Sequence, residues 1–419
     1  MRLNLLQKMF SIINEPGYKT FYILGVPFRF SSNYFFNMKY RKLPIDNNKI
    51  VFCNFKGALY GCNPKYIAEE ILRRKLPYNL VWLVDTKKFE SELESEQFPK
   101  EIKIVDYKSQ EALKELATAK IWVDNQRKVY HIKKGLNKKS GQYYLQTWHG
   151  SLGIKKIGLE SPLSEVENSW IPYGIEDANM IDFIISNSEF ENKVFDKNFW
   201  GCGKILNYGH PRNDIFYRDN SIIRSKILKS LGLSNSVKAL LYVPSFRDDY
   251  SFYCYGLDYN VLLQTLSEKF GGEWVVLVRM HPNLLKYEKQ LIPENKNIID
   301  VSKYPDIQEL LVSADVAISD YSSCIFDFML NRKPAFIFAT DIDKFNNDRG
   351  FYYPLTKTPF SVASDNVRLL ENIKNFNNDV YLQDIKVFLD EKKCIEDGHA
   401  SERVVDLIER IINKEELRV

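Results

Sequence analysis

The chain has 419 residues, of which 45% are hydrophobic and 14% aromatic, and its formal net charge is +4. This length and apolar content are sufficient for two domains with cores of their own. A net charge so close to neutrality gives no reason to expect nucleic acid as a partner. The six cysteines lack C-x-x-C spacing, which favours reduced cytoplasmic thiols over a disulfide framework or a zinc site.

The first 42 residues mix basic side chains with aromatic and aliphatic ones. They contain seven Lys or Arg residues against a single acid, Glu15. The longest apolar run, residues 21–28, contains Pro27 and is too short to cross a bilayer, and no secretory cleavage site follows it. Such a composition favours attraction to an anionic membrane surface. The alternative is a solvated helical arm that packs on its own domain.

Residues 43–214 alternate between strand-like and helix-like patterns, which is typical of a doubly wound α/β domain. Helices are predicted from Asn63, as a cap before Pro64, to about residue 75 and over residues 109–119. The polar turn at residues 209–214 is interpreted as the end of this first domain. Strands are predicted over residues 49–54, 79–85, 102–106, 121–125, 143–147, 182–187 and 204–208.

Residues 215–419 repeat this alternation and predict a second α/β domain. The pattern of its central segment, residues 314–330, predicts a buried strand, a polar turn and a helix. Such an arrangement directs free N–H groups and a helix dipole at an anion. The amphipathic last helix could pack back on the first domain. Strands are predicted over residues 238–246, 274–280, 316–319 and 334–340, and helices over residues 221–230, 306–313, 366–376 and 401–413.

Polar residues that follow two strands of the second domain predict a nucleotide site, because ligands gather at the carboxyl ends of parallel strands. Ser322 and Ser323 offer hydroxyl donors at the helix N-terminus, unless they only cap it. Asp327, one turn further on, could accept from ribose hydroxyls. Arg279 and His281 follow the strand at 274–280 and add a cation and an imidazole.

His149 follows a predicted strand of the first domain, beside Gly150 and Ser151 and shortly before Lys155. A histidine just beyond a strand can face a cleft as a reactive group. The alternative is a histidine whose ring is satisfied by backbone carbonyls.

Seven motifs follow one another along the chain from about residue 49 to its end, and through them the chain resembles the CDP-glycerol glycerophosphotransferase family, which primes and polymerises teichoic acids and related capsule chains. The length is similar to that of the shorter primase or capsule-type members. The chain departs from the family at Ser151-Leu152, where Thr-Pro is common, and at His210, where Tyr is common. The first departure bears on the acceptor more than on the reaction. The motifs are TWHG at 147–150 with KKIG at 155–158, GHPRND at 209–214, LYVPSFR at 241–247, RMHP at 279–282, SDYSS at 319–323, RGFY at 349–352 and DGHASER at 397–403.

The resemblance implies two Rossmann-like domains of glycosyltransferase-B type that face a cleft. The acceptor would lie on the N-terminal domain, residues 43–214, and the cytidine nucleotide on the C-terminal domain, residues 215–419. The implied reaction transfers glycerol phosphate, or a related polyol phosphate, from CDP-glycerol or another CDP-polyol to a hydroxyl of a lipid-linked or glycan acceptor, releasing CMP. The expected location is cytoplasmic and peripheral, on the inner face of the cell membrane.

The resemblance also assigns roles to residues at the matching motifs. His149 and His281 would be catalytic, and a neutral His149 could take the hydroxyl proton near pH 7. The chain has no Asp-x-Asp motif, so no metal site is predicted, and no sequence feature requires Mg²⁺. The expected nucleotide-binding residues are Arg247, Arg279, Ser322, Ser323 and Asp327, and the expected acceptor or phosphate residues are Ser151, Lys155 and Arg212.

Two other functions fit the same fold. One is a UDP-sugar glycosyltransferase or epimerase, against which the paired TWHG and RMHP motifs argue. The other is a non-catalytic membrane-bound scaffold, against which the presence of both His149 and His281 argues.

Overall fold

The structure, a computed structural model, describes residues 10–15, 18–31, 33–93, 98–162, 167–250 and 252–415. It contains two large sheets of seven and six strands and a small sheet of three strands. Each large sheet is parallel and has helices packed against it, so the fold is α/β with two Rossmann-like domains, as predicted.

The small sheet comes first in the chain and is an antiparallel meander of β1 (Phe10–Glu15), β2 (Tyr18–Ile23) and β3 (Val26–Ser31). The helical arm considered from the sequence is therefore wrong for these strands, where aromatic and β-branched residues favour extended backbone. Residues 1–9 of the predicted arm lie outside the described residues. Helix α1 (Tyr34–Tyr40) buries Phe36 and Tyr40 against the first domain and belongs to its core.

The seven-stranded sheet has the order β10-β9-β8-β7-β4-β5-β6. The chain moves outward from β4 to β5 and β6 and then returns to the other side of β4 with β7, so the strand order reverses between β4 and β7. The strands are β4 (Asp46–Cys53), β5 (Asn79–Val84), β6 (Ile102–Asp106), β7 (Ala119–Asp124), β8 (Tyr143–Gln146), β9 (Phe183–Ser186) and β10 (Lys204–Asn207). The helices are α2 (Cys62–Arg73), α3 (Glu90–Leu93), α4 (Gln110–Thr118), α5 (Val129–Lys133), α6 (Ile171–Ala178) and α7 (Glu189–Asn198).

The six-stranded sheet has the order β13-β12-β11-β14-β15-β16, and its reversal lies between β11 and β14. The strands are β11 (Lys238–Val243), β12 (Trp274–Val278), β13 (Ile298–Asp300), β14 (Val316–Ser319), β15 (Ala335–Phe338) and β16 (Ser361–Ala363). The helices are α8 (Ser221–Ser230), α9 (Tyr259–Phe270), α10 (Glu288–Leu291), α11 (Ile307–Ser313), α12 (Cys324–Phe328), α13 (Ile342–Arg349), α14 (Asn366–Lys374), α15 (Asn378–Lys392) and α16 (Ala400–Asn413).

The last helix, α16, packs against the first domain. Leu407 and Ile408 are fully buried in the same core cluster as Phe52 of β4. The helix begins where the Asp214 carboxylate accepts from the backbone N–H groups of residues 400 and 401, at 2.9 and 2.7 Å. A carboxylate at this end also faces the positive pole of the helix dipole. The turn between the domains therefore holds the start of the helix that returns across the cleft.

A buried ion cluster joins the domains on the same side. The Lys65 ammonium of α2 lies 2.8 Å from Asp306 and 2.5 Å from Glu309, both at the start of α11, and the Tyr66 hydroxyl donates to Asp306 at 3.0 Å. Burial opposes the charge on Lys65, but the carboxylates outweigh it and raise the pKa of this group. Removing one partner of such a set leaves a buried charge uncompensated, so the cluster fixes how the two domains meet.

Candidate active site

His149 lies where the strand order of the seven-stranded sheet reverses. It follows β8, and its Nδ1 atom is 2.7 Å from the carbonyl oxygen of Asn125, the residue after β7. Its ring meets the ring of Phe55, which follows β4, edge-on at 5.0 Å between centroids. Ligand crevices in open α/β sheets form at such reversal points, outside the carboxyl ends of the strands.

The hydrogen bond to Asn125 determines the tautomer of His149. A carbonyl oxygen can only accept, so Nδ1 carries the proton and the lone pair is on Nε2. Burial and the positive charges of Arg212, Lys155 and Lys56 lower the pKa of His149 to about 4, although the bond to the carbonyl opposes this shift. One ring nitrogen is thus satisfied by a backbone carbonyl, and the other is a neutral base near pH 7.

Two buried asparagines that were not among the predicted site residues support the His149 loop. The side chain of Asn125 donates to the Asn54 side chain at 2.7 Å and accepts from the backbone N–H of Phe55 at 2.8 Å. Asn63 donates to the carbonyls of residues 147 and 148 at 3.2 and 3.0 Å and accepts from the backbone N–H of Arg212 at 3.1 Å. The predicted cap at Asn63 is therefore wrong, because Gly61 precedes the helix and the asparagine side chain turns to these loops instead.

Ser245 and Asp320 meet where the strand order of the six-stranded sheet reverses. The backbone N–H of Ser245, after β11, lies 2.8 and 3.0 Å from the two carboxylate oxygens of Asp320, after β14. Ser322 and Ser323 follow in the same turn. Ser323 is at the cap position of the short helix α12, but its hydroxyl does not cap that helix. The interpretation of Ser323 as only a cap is therefore wrong.

The structure places Arg247 in a buried ion-pair network. Its guanidinium donates to both oxygens of Asp341, at 2.6 and 2.9 Å, to Asp320 at 2.9 Å and to the carbonyl of Ser245 at 2.7 Å. These bonds use four of its five N–H groups. Arg247 thus holds the turn that carries Asp320, and its role as a nucleotide ligand stays a prediction.

Arg212 and Asp327, predicted for phosphate and ribose, are each other's partners. Their buried side chains form a two-pronged ion pair, with N···O distances of 2.9 and 3.2 Å. Asn213 and Gln308 also donate to Asp327, at 3.2 and 3.3 Å. Four donors therefore surround the carboxylate, while Nη1 of Arg212 is buried without a hydrogen-bond partner among the described residues. Both ligand roles stay predictions.

His281 follows β12 and has the opposite tautomer to His149. Its Nδ1 atom accepts from the backbone N–H of Asn283 at 3.2 Å, so the proton of the neutral ring is on Nε2. The ring stacks on Phe246 at 5.5 Å, open to the cleft. Desolvation by the surrounding protein and the positive charges of Lys155 and Arg349 lower its pKa. The neighbouring Arg279 donates to the carbonyl of residue 304 and is half-buried.

Lys155 belongs to a loop of the first domain that pairs with the second. Residue 155 bridges residue 351, and backbone bonds of 3.0 and 2.7 Å join residues 156 and 350, and 352 and 154. Burial and the charges of Arg349 and Arg247 lower the pKa of Lys155, although Asp320 opposes them. A Cβ atom added to Gly153 would lie 3.1 Å from Ser323, which shows how closely the two domains approach.

Ser151, predicted for the acceptor, lies beneath this loop. Its side chain is buried, and its hydroxyl oxygen accepts from the Asn187 side chain at 2.6 Å. The hydroxyl holds the loop against β9 through Asn187, and its contact with the acceptor stays a prediction.

Residues 34–410 match the family described as CDP-glycerol:poly(glycerophosphate) glycerophosphotransferase. The chain belongs to this family. It is 30% identical to a teichoic acid poly(glycerol phosphate) polymerase of Bacillus spizizenii over 87% of this chain and 92% of that protein. It is 29% identical to a teichoic acid glycerol-phosphate transferase of Staphylococcus aureus over 88% of this chain and 94% of that protein.

Some family members are much longer. A polymerase of Bacillus subtilis is 29% identical over 88% of this chain, which spans only 49% of that protein. Another polymerase, from Staphylococcus epidermidis, is 30% identical over 87% of this chain, which spans only 51% of that protein. The chain thus spans about half the length of these two relatives.

Solved structures of the wall teichoic acid polymerase TagF have the same fold. A TagF variant soaked with CDPG is 27% identical, with a TM-score of 0.78 over 91% of this chain and 93% of that one. The S. aureus MnaA–UDP structure, 12% identical with a TM-score of 0.51 over 87% of this chain and 97% of that one, shares the fold alone.

Within the described part of the chain, none of the helices is both long and apolar enough to span a bilayer. The same ranges contain no group of three or more His, Cys, Asp or Glu side chains placed to hold a metal ion.

We predict that the two cleft histidines are neutral and in opposite tautomers at pH 7. The hydrogen bonds described above leave the proton on Nδ1 of His149 and on Nε2 of His281. Spectra of protein labelled with ¹⁵N at histidine distinguish these forms, and the variants His149→Gln and His281→Gln assign the signals among the five histidines. An imidazolium or an Nε2–H signal for His149 at pH 7 would contradict this assignment.

Proposed function

We propose that this chain transfers glycerol phosphate, or a related polyol phosphate, from a CDP-activated donor to a hydroxyl of a lipid-linked or glycan acceptor. CMP is the second product. The observation that carries the proposal is the pair of neutral histidines with opposite tautomers, one in each facing domain, in a chain of the glycerophosphotransferase family. The polymer made is a teichoic-acid-like or capsular chain.

His149 acts as the base. Its Nε2 lone pair takes the proton of the acceptor hydroxyl as the oxygen attacks the phosphorus that carries glycerol. The bond to the Asn125 carbonyl keeps the ring in the tautomer that this step needs. The low pKa ensures that the base is free, and hydrogen bonding through Nδ1 stabilises the imidazolium that forms during the step.

His281 acts on the leaving group, on the other side of the reacting phosphorus from the acceptor hydroxyl. The pyrophosphate P–O bond breaks as the new bond forms, and CMP leaves as a phosphate monoester whose second pKa is about 6. Such a leaving group needs charge stabilisation more than a proton, and the Nε2–H of His281 supplies a hydrogen bond. Lys155, Arg279 and the hydroxyls of Ser322 and Ser323 surround the diphosphate.

The proposed reaction predicts CMP release from CDP-glycerol, with CDP-ribitol as the comparison for the polyol and UDP-sugars as the comparison for the nucleotide. His149→Gln should lower turnover by about 10²-fold or more, the scale of general acid–base catalysis, while the Kd for CDP-glycerol stays within about twofold. Quantifying CMP and UMP or UDP by chromatography measures both. Release from UDP-sugars alone would refute the proposal, and full activity of the variant would remove His149 from the mechanism.

The nucleotide side predicts that the double variant Ser322→Ala with Ser323→Ala binds CDP-glycerol about tenfold more weakly, because two hydroxyl donors to the diphosphate are lost. Calorimetry measures the affinity. The matched control is Ser234→Ala with Ser236→Ala, two exposed serines that hydrogen-bond to each other before β11. Equal affinity of both double variants and the wild type would mean that the serines of the turn do not contact the donor.

A lipid-linked acceptor requires the enzyme to work beside a bilayer, and we propose that the small N-terminal sheet makes this contact. Leu24 forms the tip of its second hairpin with φ +49° and is 68% exposed, and Val26 and Phe28 on the adjoining strand are 54% and 46% exposed. Lys19 lies in the same sheet, and burial together with the charge of Lys134 lowers its pKa. Apolar tips among cations are typical of proteins that bind anionic membrane surfaces.

The membrane contact predicts sedimentation with anionic liposomes at low salt, less with neutral ones, and release as salt rises. Deleting residues 1–42 would remove Phe36 and Tyr40 from the core, so substitutions are the better test. The triple variant Leu24→Ser, Val26→Ser and Phe28→Ser should bind much less. Ile222→Ser, at an 82% exposed position on α8, is the control. Undiminished binding of the triple variant would place the contact elsewhere.

A further inference from the structure

Three consecutive residues after β4 have left-handed backbone. The φ angles are +41° at Phe55, +60° at Lys56 and +93° at Gly57. The left-handed region is unfavourable for residues with a Cβ, and runs of it are rare. Strain of this kind persists only where the surroundings impose it, and it is concentrated at functional sites.

The surroundings of this turn hold it firmly. The backbone N–H groups of residues 57 and 58 donate to the carbonyl of Asn54 at 3.0 and 2.6 Å, and the carbonyl of Gly57 accepts from the N–H of Asp85 at 2.8 Å. A Cβ atom at Gly57 would lie 2.9 Å from Asp85 N and from Tyr107. The backbone N–H of Phe55 is bound by Asn125, the residue whose carbonyl orients His149. The turn and the base are therefore held by the same residue.

The turn directs two exposed side chains to the rim of the His149 site. Phe55 is 43% exposed and presents its ring to His149, although a core position would be expected for an aromatic residue directly after a buried strand. Lys56 is exposed, its charge contributes to the low pKa of His149, and it makes no ion pair with the described residues. An apolar ring and a cation thus border the base on the first domain.

These two side chains belong to the same domain as His149, and the groups proposed to bind the donor belong to the other domain. Ser323, His281 and Arg279 belong to the second domain, whereas the turn after β4 belongs to the first. Since the acceptor is expected on the first domain, the group that meets the turn would be the acceptor and not the nucleotide.

We propose that Phe55 and Lys56 form the subsite for the acceptor end, an inference that rests on the proposed function and adds to it a recognition chemistry. Phe55 packs on the C–H face of the terminal polyol or sugar, and Lys56 binds the phosphodiester next to it. The acceptor class is thus a hydroxyl-terminated chain with a phosphate one unit from its end. The rigid turn positions this end without a further loss of backbone entropy on binding.

The test compares two soluble acceptor analogues. One is a disaccharide that carries a terminal glycerol through a phosphodiester, and the other is the same disaccharide without the phosphate. Lys56→Gln should raise KM for the phosphate-bearing analogue about tenfold, the scale of one hydrogen bond between charged groups, and leave KM for the neutral analogue within twofold. Lys56→Arg should restore the wild-type value. Phe55→Leu should raise KM for both analogues about fivefold, as loss of an aromatic contact does. Lys229→Gln, on the exposed face of α8, is the matched control.

The outcomes distinguish the acceptor subsite from a merely supporting role of the turn and from a failure of the proposed function. Equal effects of Lys56→Gln on both analogues, or none, would overturn the phosphate contact. If Phe55→Leu lowers kcat equally for both analogues and for water as acceptor, and shifts the His149 signals in the ¹⁵N spectra, the ring only supports the base and its acceptor contact is overturned. A wild type that releases no CMP from any CDP-polyol would overturn the proposed function and this inference with it. An active wild type with unchanged variants would overturn the inference alone.

Discussion

The buried ion pair between Arg212 and Asp327 is the contact on which the geometry of both half-sites depends. The two half-sites are the His149 loop on the first domain and the turn of Ser322 and Ser323 on the second. Asp327 lies in α12, directly behind the serine turn, and the backbone of Arg212 is bound by Asn63, which also holds the carbonyls of the His149 loop. One chain of contacts therefore runs from the His149 loop on the first domain to the turn of Ser322 and Ser323 on the second. Breaking a buried pair costs about 3–5 kcal/mol, because the remaining charge is left without compensation. The two half-sites are thus held in a fixed relation before any substrate arrives.

The positively charged side chains around the cleft are of two kinds, those that are paired with carboxylates and those that are not. Arg247 and Arg212 face carboxylates at hydrogen-bonding distance, so they shape the walls without adding net charge to the crevice. The Lys155 side chain makes no hydrogen bond or ion pair with the described residues and is half-buried. An unpaired ammonium group that is partly removed from water attracts an anion more strongly than a fully hydrated one does.

Much of the fold could be read from the sequence, because parallel strands buried on both faces appear as short continuous apolar runs. All the predicted strands are present within three residues of their expected bounds. The short edge strands β13 and β16, of three residues each, and helices such as α15 were not predicted, since their patterns are short or weakly amphipathic. The strands β1, β2 and β3 were missed because the basic and aromatic composition of residues 1–42 was interpreted as a membrane-proximal arm.

The site was predictable only in part. The positions of His149, His281 and Ser323 after strands were predicted correctly, because topology fixes the edge of the sheet at which a parallel strand ends. Their roles stay predictions. Arg247 and Arg212 have the right chemistry for phosphate, but their partners are 94 and 115 residues away, and no local pattern shows that these charges neutralise each other. Asn63 was predicted to cap a helix because Asn-Pro is a strong local cap signal. In the folded chain its side chain instead donates to backbone carbonyls that are distant in sequence.

The loop at residues 154–156, which pairs with residues 350–352, limits how the two domains can move. The chain passes between the domains at residues 208–220 and returns before α16, and this pairing joins the domains in addition to those two crossings and to the buried ion pairs. Two bodies joined at several places cannot rotate freely about a single axis. Any wide opening of the cleft must therefore break the backbone bonds of this loop together with the ion pairs between the domains.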